Sequence, residues 1–223
     1  MAPDEAPVPA WLWRSVTWGV GLLTLAVAGL ALALALGAAD PPRAGPLAWQ
    51  DDFKQPNDRW DWRAAEGAAL APRAGALVAD FSGPGQWAAA LAEAPAGVLT
   101  LEIAGAQTEG AGGAAGYGLV FNWASSADYA AVLVNGHGYV EAFQQTPAGR
   151  RDWYPFQQWP HILYGTESNR VRVDVRGRRV TARINDEVLA VFEAAGAGRV
   201  GVLARSSGPA RVVFSWVRVW AAP

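Results

Sequence analysis

The segment from Arg150 to Tyr164 concentrates residue types that bind sugars or proteins. Aromatic rings stack on the apolar C–H faces of sugars, and side-chain amides bind sugar hydroxyls. The same mixture is typical of protein-binding hot spots, where Trp, Tyr and Arg are enriched. A third interpretation is structural, because such rings also cap the open end of a β-sheet core. The candidate residues of this predicted aromatic loop are Trp153, Tyr154, Phe156, Gln157, Gln158 and Trp159.

A second candidate surface is a row of arginines on two adjacent predicted strands. Arginines alternate there with apolar residues, so the guanidinium groups would share one outer face of a sheet. Like charges on paired strands repel each other, so this face would favour an anion: an acidic polysaccharide, lipid headgroups or an acidic protein. The alternative is a solvated face whose charge is offset by Asp174 and Glu187. The residues of this basic face are Arg170, Arg172, Arg176, Arg179 and Arg183.

The acidic residues lack the spacing that glycoside hydrolysis requires. A retaining glycosidase places two carboxyl groups about 5–5.5 Å apart, which on one strand means acids at positions i and i+2. Glu102 stands between apolar neighbours, and Asp174 stands among arginines. The two histidines, His137 and His161, are isolated, and the chain has no cysteine. We therefore predict a protein that is not an enzyme and has no disulfide or thiolate metal site.

One acidic cluster is a candidate for a structural calcium ion. Asp51, Asp52 and Asp58 lie near the start of the predicted domain, and Ca²⁺ prefers several oxygen ligands. The alternative is that these are solvated loop acids. No other cofactor is predicted.

The sequence after Leu47 has a pattern typical of an all-β protein, in which short runs of β-branched and aromatic residues are separated by Gly, Pro, Asn and Asp. Strict alternation of valine with charged residues over 170–176 predicts a strand with one buried and one solvated face. In the last predicted strand, 211–220, Val213, Ser215, Val217 and Val219 are expected on one face. Turns are predicted at Asn135-Gly136, Gly177-Arg178 and Asn185-Asp186.

Around a dozen short strands at this spacing predict two packed antiparallel sheets, a jelly-roll sandwich. The other predicted strands are 77–81, 87–91, 98–103, 117–123, 129–134, 139–144, 180–184, 188–192 and 199–204.

The N-terminal part predicts one transmembrane helix. Residues 15–39 carry no charge and are rich in Leu, Ala, Val and Gly, and about 20 apolar residues cross the hydrocarbon core of a bilayer. Trp11, Trp13 and Trp18 cluster at the N-terminal end of this span, where indole rings favour the headgroup region. The alternative is a signal peptide cleaved before Asp40, although the apolar run is longer than a usual signal-peptide core.

These signals divide the chain into a tail of residues 1–14, a signal-anchor helix of residues 15–39, a Pro-rich linker of residues 40–47 and a β domain of residues 48–221. The usual topology of this layout places the C-terminal domain outside the cytoplasm, on a single-pass protein of the cell membrane. The net charge of −2 indicates no particular partner. We expect membrane lipid around residues 15–39 and no nucleic-acid partner.

Several motifs of the β domain resemble the concanavalin A-like lectin/glucanase superfamily, over nearly all of residues 48–220. The similarity is greatest to the laminin-G-like and 3-keto-disaccharide-hydrolase-like domains of bacterial surface proteins. It implies a β-sandwich, and laminin-G-like sandwiches sometimes carry structural calcium. The motifs are Asp51-Asp52-Phe53 with Trp60, Tyr117 to Phe121, Asn169 to Val191, Gly198 to Val202 and Phe214 to Val219.

Three functions follow as hypotheses. The first is a membrane-anchored, extracytoplasmic, non-catalytic module that binds a glycan or cell-envelope polymer. The second is an accessory or structural subunit of a larger membrane complex, docked through the aromatic loop and the transmembrane helix. The third, a sugar hydrolase of the keto-disaccharide type, is implied by the resemblance alone and lacks the acid pair.

Overall fold

A computed structural model of the chain describes residues 9–35, 41–194 and 198–222. The chain divides between Pro42 and Arg43 into two compact units, a helical unit and a β domain. The helix α1 spans Ala10–Ala35. The strands of the β domain are β1 Leu47–Asp51, β2 Asp61–Ala64, β3 Ala68–Arg73, β4 Ala76–Phe81, β5 Pro84–Ala92, β6 Leu99–Gly110, β7 Ala115–Ser125, β8 Asp128–Asn135, β9 Tyr139–Thr146, β10 Gly149–Gln158, β11 Asn169–Arg176, β12 Arg179–Ile184, β13 Glu187–Glu193, β14 Arg199–Ser207 and β15 Ala210–Ala221.

Helix α1 begins earlier than the predicted span of residues 15–39, because the segment that carries Trp11 and Arg14 is helical rather than a tail. Pro9 precedes the first turn, and its carbonyl accepts a hydrogen bond from the Leu12 N–H at 2.9 Å. Proline suits this position because the first helical N–H groups have no intrahelical partner. The stretch Trp11–Leu34 is long and apolar enough to cross a membrane. Residues 36–39 of the predicted span lie outside the described residues.

The β domain is the predicted all-β sandwich, built from two antiparallel sheets. Sheet A has the strand order β13-β12-β11-β6-β15-β4-β3, and β1 pairs with the second half of the long strand β15. Sheet B has the order β10-β9-β8-β7-β14-β5-β2. A core of buried apolar residues fills the space between the two sheets. Strands β1, β2, β3 and β10 are not among the predicted strands.

The hairpins β11–β12 and β12–β13 form as predicted. Val171 and Val173 are fully buried in the core. Gly177 adopts φ +60° in the two-residue turn after β11. Asn185 and Asp186 both have positive φ, at 51° and 74°, as a type I′ hairpin turn requires.

The predicted face assignment of β15 is wrong because the strand contains a bulge. The register with β6 shifts between Phe214 and Trp216, so Ser215 is the extra residue and the alternation changes phase there. Val212 and Phe214 therefore share the core-facing side with Val217 and Val219.

A buried polar cluster connects the two sheets at one end of the core. Asn169 is fully buried, and its Nδ2 donates to the Tyr117 hydroxyl at 3.1 Å and to the Leu163 carbonyl at 3.0 Å. Asn185 Nδ2 donates to Asn169 Oδ1 at 2.9 Å and to the His161 carbonyl at 2.7 Å. This cluster fixes the segment after β10 against the core.

The outer face of sheet B carries a second apolar layer, on the side away from the core. Its buried residues come from strands β5, β7, β8, β9 and β14, and we call this layer the outer cluster. The outer cluster consists of Ala89, Leu91, Val120, Trp123, Tyr129, Ala131, Leu133, Phe143 and Leu203, with half-buried Trp87 packed against it.

Close strand packing in sheet B depends on glycine. A methyl group added at Gly118 of β7 would overlap the carbonyl oxygen of Val132 in β8. At Gly116, two residues earlier in the same strand, the nearest atoms are ordinary contacts at 3.8 Å from Leu133. Glycine inside a strand often marks such a close backbone approach.

We expect Gly118→Ala to lower the free energy of unfolding by about 2 kcal/mol or more, as for an overpacked core. Gly116→Ala is the matched control and should change it by less than about 1 kcal/mol. The measurement is urea denaturation of the detergent-solubilised full-length chain, followed by tryptophan fluorescence. Equal stability of the two variants would refute the packing described for Gly118.

A second prediction concerns alkaline stability. Burial raises the pKa of Tyr117 to about 12, partly opposed by the hydrogen bond from Asn169. In the unfolded chain this phenol ionises near pH 10. Its contribution to stability is therefore complete below pH 10 and is lost as pH rises towards 12.

Tyr117→Phe should accordingly lower the free energy of unfolding by about 1 kcal/mol at pH 8, because the hydrogen bond is lost. Between pH 9 and pH 11 the free energy of unfolding of this variant should fall less than that of the unchanged chain. Urea midpoints across this pH range measure the effect. Tyr164→Phe, at a tyrosine that is 57% exposed, is the control. A pH profile for Tyr117→Phe that parallels the unchanged chain would contradict the prediction.

Candidate functional site

The predicted aromatic loop is largely a strand, and this part of the prediction is corrected. Residues 149–158 form β10, the edge strand of sheet B paired with β9. The pairing shifts register twice, between Asp152 and Tyr154 and between Tyr154 and Gln157. Pro155 lies in the second irregular stretch, and an edge strand tolerates proline because one side of its backbone needs no partner strand.

Three of the predicted aromatic residues pack at the open end of the sandwich. Trp153 stacks on Phe192 of β13 with ring centroids 4.2 Å apart and an interplanar angle of 13°. Tyr154 and Trp159 meet edge to face at 6.1 Å, and all three rings pack against the core. Since β10 and β13 are the terminal strands of their sheets, these rings close the gap between the sheets.

The remaining predicted residues are on the surface. Phe156 is 58% exposed and stacks on Tyr139 with centroids 4.8 Å apart. Gln157 and Gln158 are exposed beside it. The structure thus divides the predicted set into a half-buried group of three residues and an exposed group of three residues.

The basic face exists, but ion pairs neutralise most of it. Arg172 is only 2% exposed and donates to Asp174 Oδ1 at 2.7 Å, while Arg183 lies 3.6 Å from Asp174 Oδ2. Arg170 pairs with Asp186 and lies 3.8 Å from Glu102. The register of β11 and β12 places these side chains on one face of sheet A.

Two members of the basic face differ from the others. Arg176 and Arg179 are register partners at the far end of the β11–β12 hairpin and are exposed. In the described parts of the chain no carboxylate forms an ion pair with either side chain. Anion binding would therefore be limited to this end of the basic face.

The calcium candidates do not come together as ligands. Asp51 is buried, and its carboxylate accepts hydrogen bonds from the Phe53 N–H at 2.7 Å and the Trp60 Nε1–H at 2.6 Å. Asp52 pairs with Lys54 at 2.6 Å, and Asp58 is exposed. No group of three or more His, Cys, Asp or Glu side chains within the described ranges is arranged to hold a metal ion.

The outer face of sheet B contains a cleft that sequence reasoning missed. We call it the sheet B cleft, and its volume is about 220 Å³. Its lining comes from five neighbouring strands and the β7–β8 turn: Gly85, Trp87, Trp123, Ser126, Tyr129, Gln145, Leu203 and Arg205.

A continuous row of aromatic rings runs along this face. Trp87 and Trp123 have centroids 5.8 Å apart, and Trp123 stacks on Tyr129 at 5.0 Å and 27°. Phe143 continues the row at 5.9 Å from Tyr129. Trp123 and Tyr129 are buried, at 5% and 8% exposure, and Phe143 is fully buried, so the exposed ring surface of the row comes mainly from half-buried Trp87. That ring surface lies beside polar groups, the usual lining of a small-molecule site.

A backbone irregularity places Trp123 in this row. Simple alternation along β7 would put Trp123 on the core side with Leu119 and Phe121. Asn122 instead adopts φ +52°, and the pairing with β8 shifts register between Phe121 and Ser125. Asparagine tolerates this left-handed conformation better than most residues, and the bulge turns the indole to the outer face.

Two arginines flank the aromatic row. Arg150 lies 3.9 Å from the Phe143 ring centroid and is held by Glu141 at 2.6 Å and Asp152 at 2.7 Å. Burial opposes the charge of Arg150, but these two hydrogen bonds outweigh burial and raise its pKa. Arg205 of β14 is the register partner of Trp87 and lies 5.7 Å from the Phe143 ring.

The Tyr129 hydroxyl remains protonated over the physiological range. Burial raises its pKa, and the positive charges of Arg205 and Arg150 partly oppose this. The neutral phenol both donates and accepts hydrogen bonds. Gln145, its register partner on β9, adds an amide to the same cleft.

A wider cleft of about 660 Å³ lies on the outer face of sheet A, lined in part by His161, Arg170 and Trp216. Its polar and aromatic groups are largely engaged within the protein. Arg170 is paired as described above, and the Arg218 guanidinium covers the Trp216 ring at 4.4 Å. We therefore regard the smaller sheet B cleft as the candidate site.

Comparison with solved structures shows the fold. The chain is similar to the carbohydrate-binding module CBM66 from Bacillus subtilis, with a TM-score of 0.55 and 16% identity over 71% of this chain and 94% of that one. It is similar to the carbohydrate recognition domain of Emp46p, with a TM-score of 0.55 and 10% identity over 78% of this chain and 95% of that one. At these identities the similarity establishes the β-sandwich alone.

A third similar structure is a larger protein. The GH43 protein BlXynB from Bacillus licheniformis has a TM-score of 0.57 and 13% identity over 78% of this chain, but the match covers only 39% of BlXynB. No protein-family model and no curated protein matches the sequence.

Substitutions of the half-buried and of the exposed aromatic residues of β10 should differ sharply in their effect on the free energy of unfolding. Trp153→Ala should lower the free energy of unfolding by about 3–5 kcal/mol, because it removes a large ring from between the sheets. Phe156→Ala, in the same strand but exposed, should lower it by about 1 kcal/mol or less. Thermal or urea unfolding of the two variants is the measurement. Similar losses would show that Trp153 does not close the sandwich.

Proposed function

We propose that the chain is a membrane-anchored, non-catalytic module that binds a glycan in the sheet B cleft. The observation that carries the proposal is the aromatic row of Trp87, Trp123 and Tyr129 beside the polar groups of Gln145 and Arg205. Indole surface packs against the C–H face of a sugar ring, and the amide, phenol and guanidinium groups bind its hydroxyls.

The similar structures support a sugar ligand. The names of two of them state a carbohydrate-binding module and a carbohydrate recognition domain. Others are glycan-cleaving proteins, such as an endo-β-galactosidase from Clostridium perfringens. Similar sandwiches therefore occur both in carbohydrate-binding and in glycan-cleaving proteins. The residues of the cleft are the evidence for choosing between these two roles.

The cleft residues favour binding over hydrolysis. Both retaining and inverting glycosidases usually need two carboxyl groups flanking the scissile bond. Among the described residues that line the sheet B cleft, none is Asp or Glu. The nearby Glu141 is held by Arg150 at 2.6 Å. Because the described lining of the cleft has no carboxyl group, a hydrolase of the keto-disaccharide type is a weaker proposal than a binding module.

The anchor is the second part of the proposal. The stretch Trp11–Leu34 is long and apolar enough for one membrane span, and its tryptophans near the N-terminal end suit an interface. We infer that the β domain is extracytoplasmic, as is usual for a short N-terminal tail followed by one span. Resistance of the chain to carbonate extraction, with protease cleavage of the β domain in intact cells, would support this arrangement.

Protein docking remains the alternative role of the β10 edge, since Phe156 is 58% exposed there. Gentle detergent extraction followed by size analysis distinguishes the two functions. A stable hetero-complex that is lost in Phe156→Ala would favour the accessory-subunit role. A monomer that binds glycans would favour the binding module.

Glycan binding is tested directly with an array of neutral and acidic oligosaccharides and the detergent-solubilised full-length chain. We expect binding to at least one class, with Trp87→Ala weakening it about tenfold or more, a loss of about 1.4 kcal/mol. Trp62→Ala is the matched control, because Trp62 is 38% exposed but lies outside the cleft. Absence of glycan binding, or equal effects of the two substitutions, would overturn the proposal.

A further inference from the structure

Among the described residues, the sheet B cleft has one charged side chain in its lining, and that side chain forms no ion pair with any of them. Arg205 is the only Asp, Glu, Lys or Arg among the described residues that line it. Its side chain is exposed, and in the described part of the protein no carboxylate lies within ion-pair distance of it. A guanidinium group at the mouth of an otherwise neutral cleft offers a free site for an anion.

Two other arginines of sheet B show the contrast. Arg199, also on β14, pairs with Asp61. Arg150, which shares the Phe143 ring with Arg205, is held by both Glu141 and Asp152. These arginines have internal carboxylate partners, whereas Arg205 is left facing the cleft.

The surroundings orient Arg205 towards a ligand. It is paired in register with Trp87 on one side and with Gly116 on the other. Gly116 has no side chain to cover the guanidinium, which lies 5.7 Å from the Phe143 ring centroid. Trp87 lines the same cleft. The positive charge of Arg205 also affects the cleft, because it partly offsets the rise that burial causes in the pKa of Tyr129.

From this geometry we propose that the preferred ligand carries a carboxylate on the sugar that occupies the cleft, as in a uronic acid. The planar guanidinium fork binds a carboxylate through two parallel hydrogen bonds, while Trp87 contacts the ring of the same sugar. This inference rests on the proposed glycan-binding function and specifies the class of glycan.

The test compares acidic oligosaccharides with neutral counterparts of the same backbone. The probes are oligogalacturonate, oligomannuronate and a glucuronate-containing oligosaccharide, each beside its carboxyl-reduced form. Binding to the full-length chain in detergent is measured by calorimetry at low salt. We expect at least one free acid to bind about tenfold or more tightly than its reduced form, with an advantage that shrinks as salt is added.

Substitutions assign this preference to Arg205. Arg205→Gln should abolish the advantage of the acid while leaving binding of the reduced form within about twofold, and Arg205→Lys should keep part of it. Arg63→Gln is the matched control, because Arg63 is an exposed arginine of β2 that does not line the cleft. Unchanged thermal unfolding confirms that each variant is folded.

The outcomes separate this inference from the proposed function. Trp87-dependent binding of neutral and acidic forms with equal affinity would overturn the carboxylate preference and leave the glycan-binding function standing. Acid-selective binding that survives in Arg205→Gln would overturn the assignment to Arg205. Binding of none of these probes, nor of any oligosaccharide on the array, would overturn both.

Discussion

Sheet B depends on one constraint: several of its strands are apolar on both faces. Ala89 and Leu91 of β5, Val120 of β7 and Leu133 of β8 point away from the core and are still buried. Each square ångström of apolar surface that remains in water costs about 25 cal/mol relative to burial. A sheet with such an outer face must be covered, and here the cover is made of large aromatic rings.

That cover determines where a ligand can bind. The rings of Trp87, Trp123 and Tyr129 lie along the sheet in contact with one another and shield the small residues beneath. A small cleft lies along this row, with indole and phenol in its walls. The feature that stabilises the outer face thus also provides the surface on which we propose that a sugar binds.

The outer face of sheet A is covered by charged side chains rather than by aromatic rings. Glu102 and Arg172 are buried there, and Arg43 donates to Glu102 Oε2 at 3.3 Å. The Ala44 N–H donates to the Thr100 hydroxyl at 3.0 Å, so the chain is fixed to the sheet where it enters the β domain. Buried ion pairs have a large desolvation cost and need their partners. Most of the basic face is therefore engaged internally, in contrast to Arg205.

Sequence patterns predicted the parts of the fold that depend on local chemistry. The β11–β12–β13 meander was predictable because valine alternates with charged residues and because Gly177 and Asn185-Asp186 match their turns. Strand β10 was not, since Pro155 and two register shifts remove the alternation.

The candidate site was much less predictable than the fold. Its residues are brought together by the order β9-β8-β7-β14-β5, in which β14 lies between strands that precede it by about 80 to 110 residues. The position of Trp123 depends further on the left-handed residue Asn122. One signal was available in the sequence: β5 and β8 are apolar at consecutive positions, which indicates that both of their faces are buried.

The most direct test of this account is a crystal structure of the full-length chain bound to the oligosaccharide for which it has the highest affinity. The account predicts a sugar ring in contact with Trp87, with its polar groups within hydrogen-bond distance of Arg205 and Gln145. A ligand located instead at the β10 edge around Phe156, or on the outer face of sheet A, would contradict it.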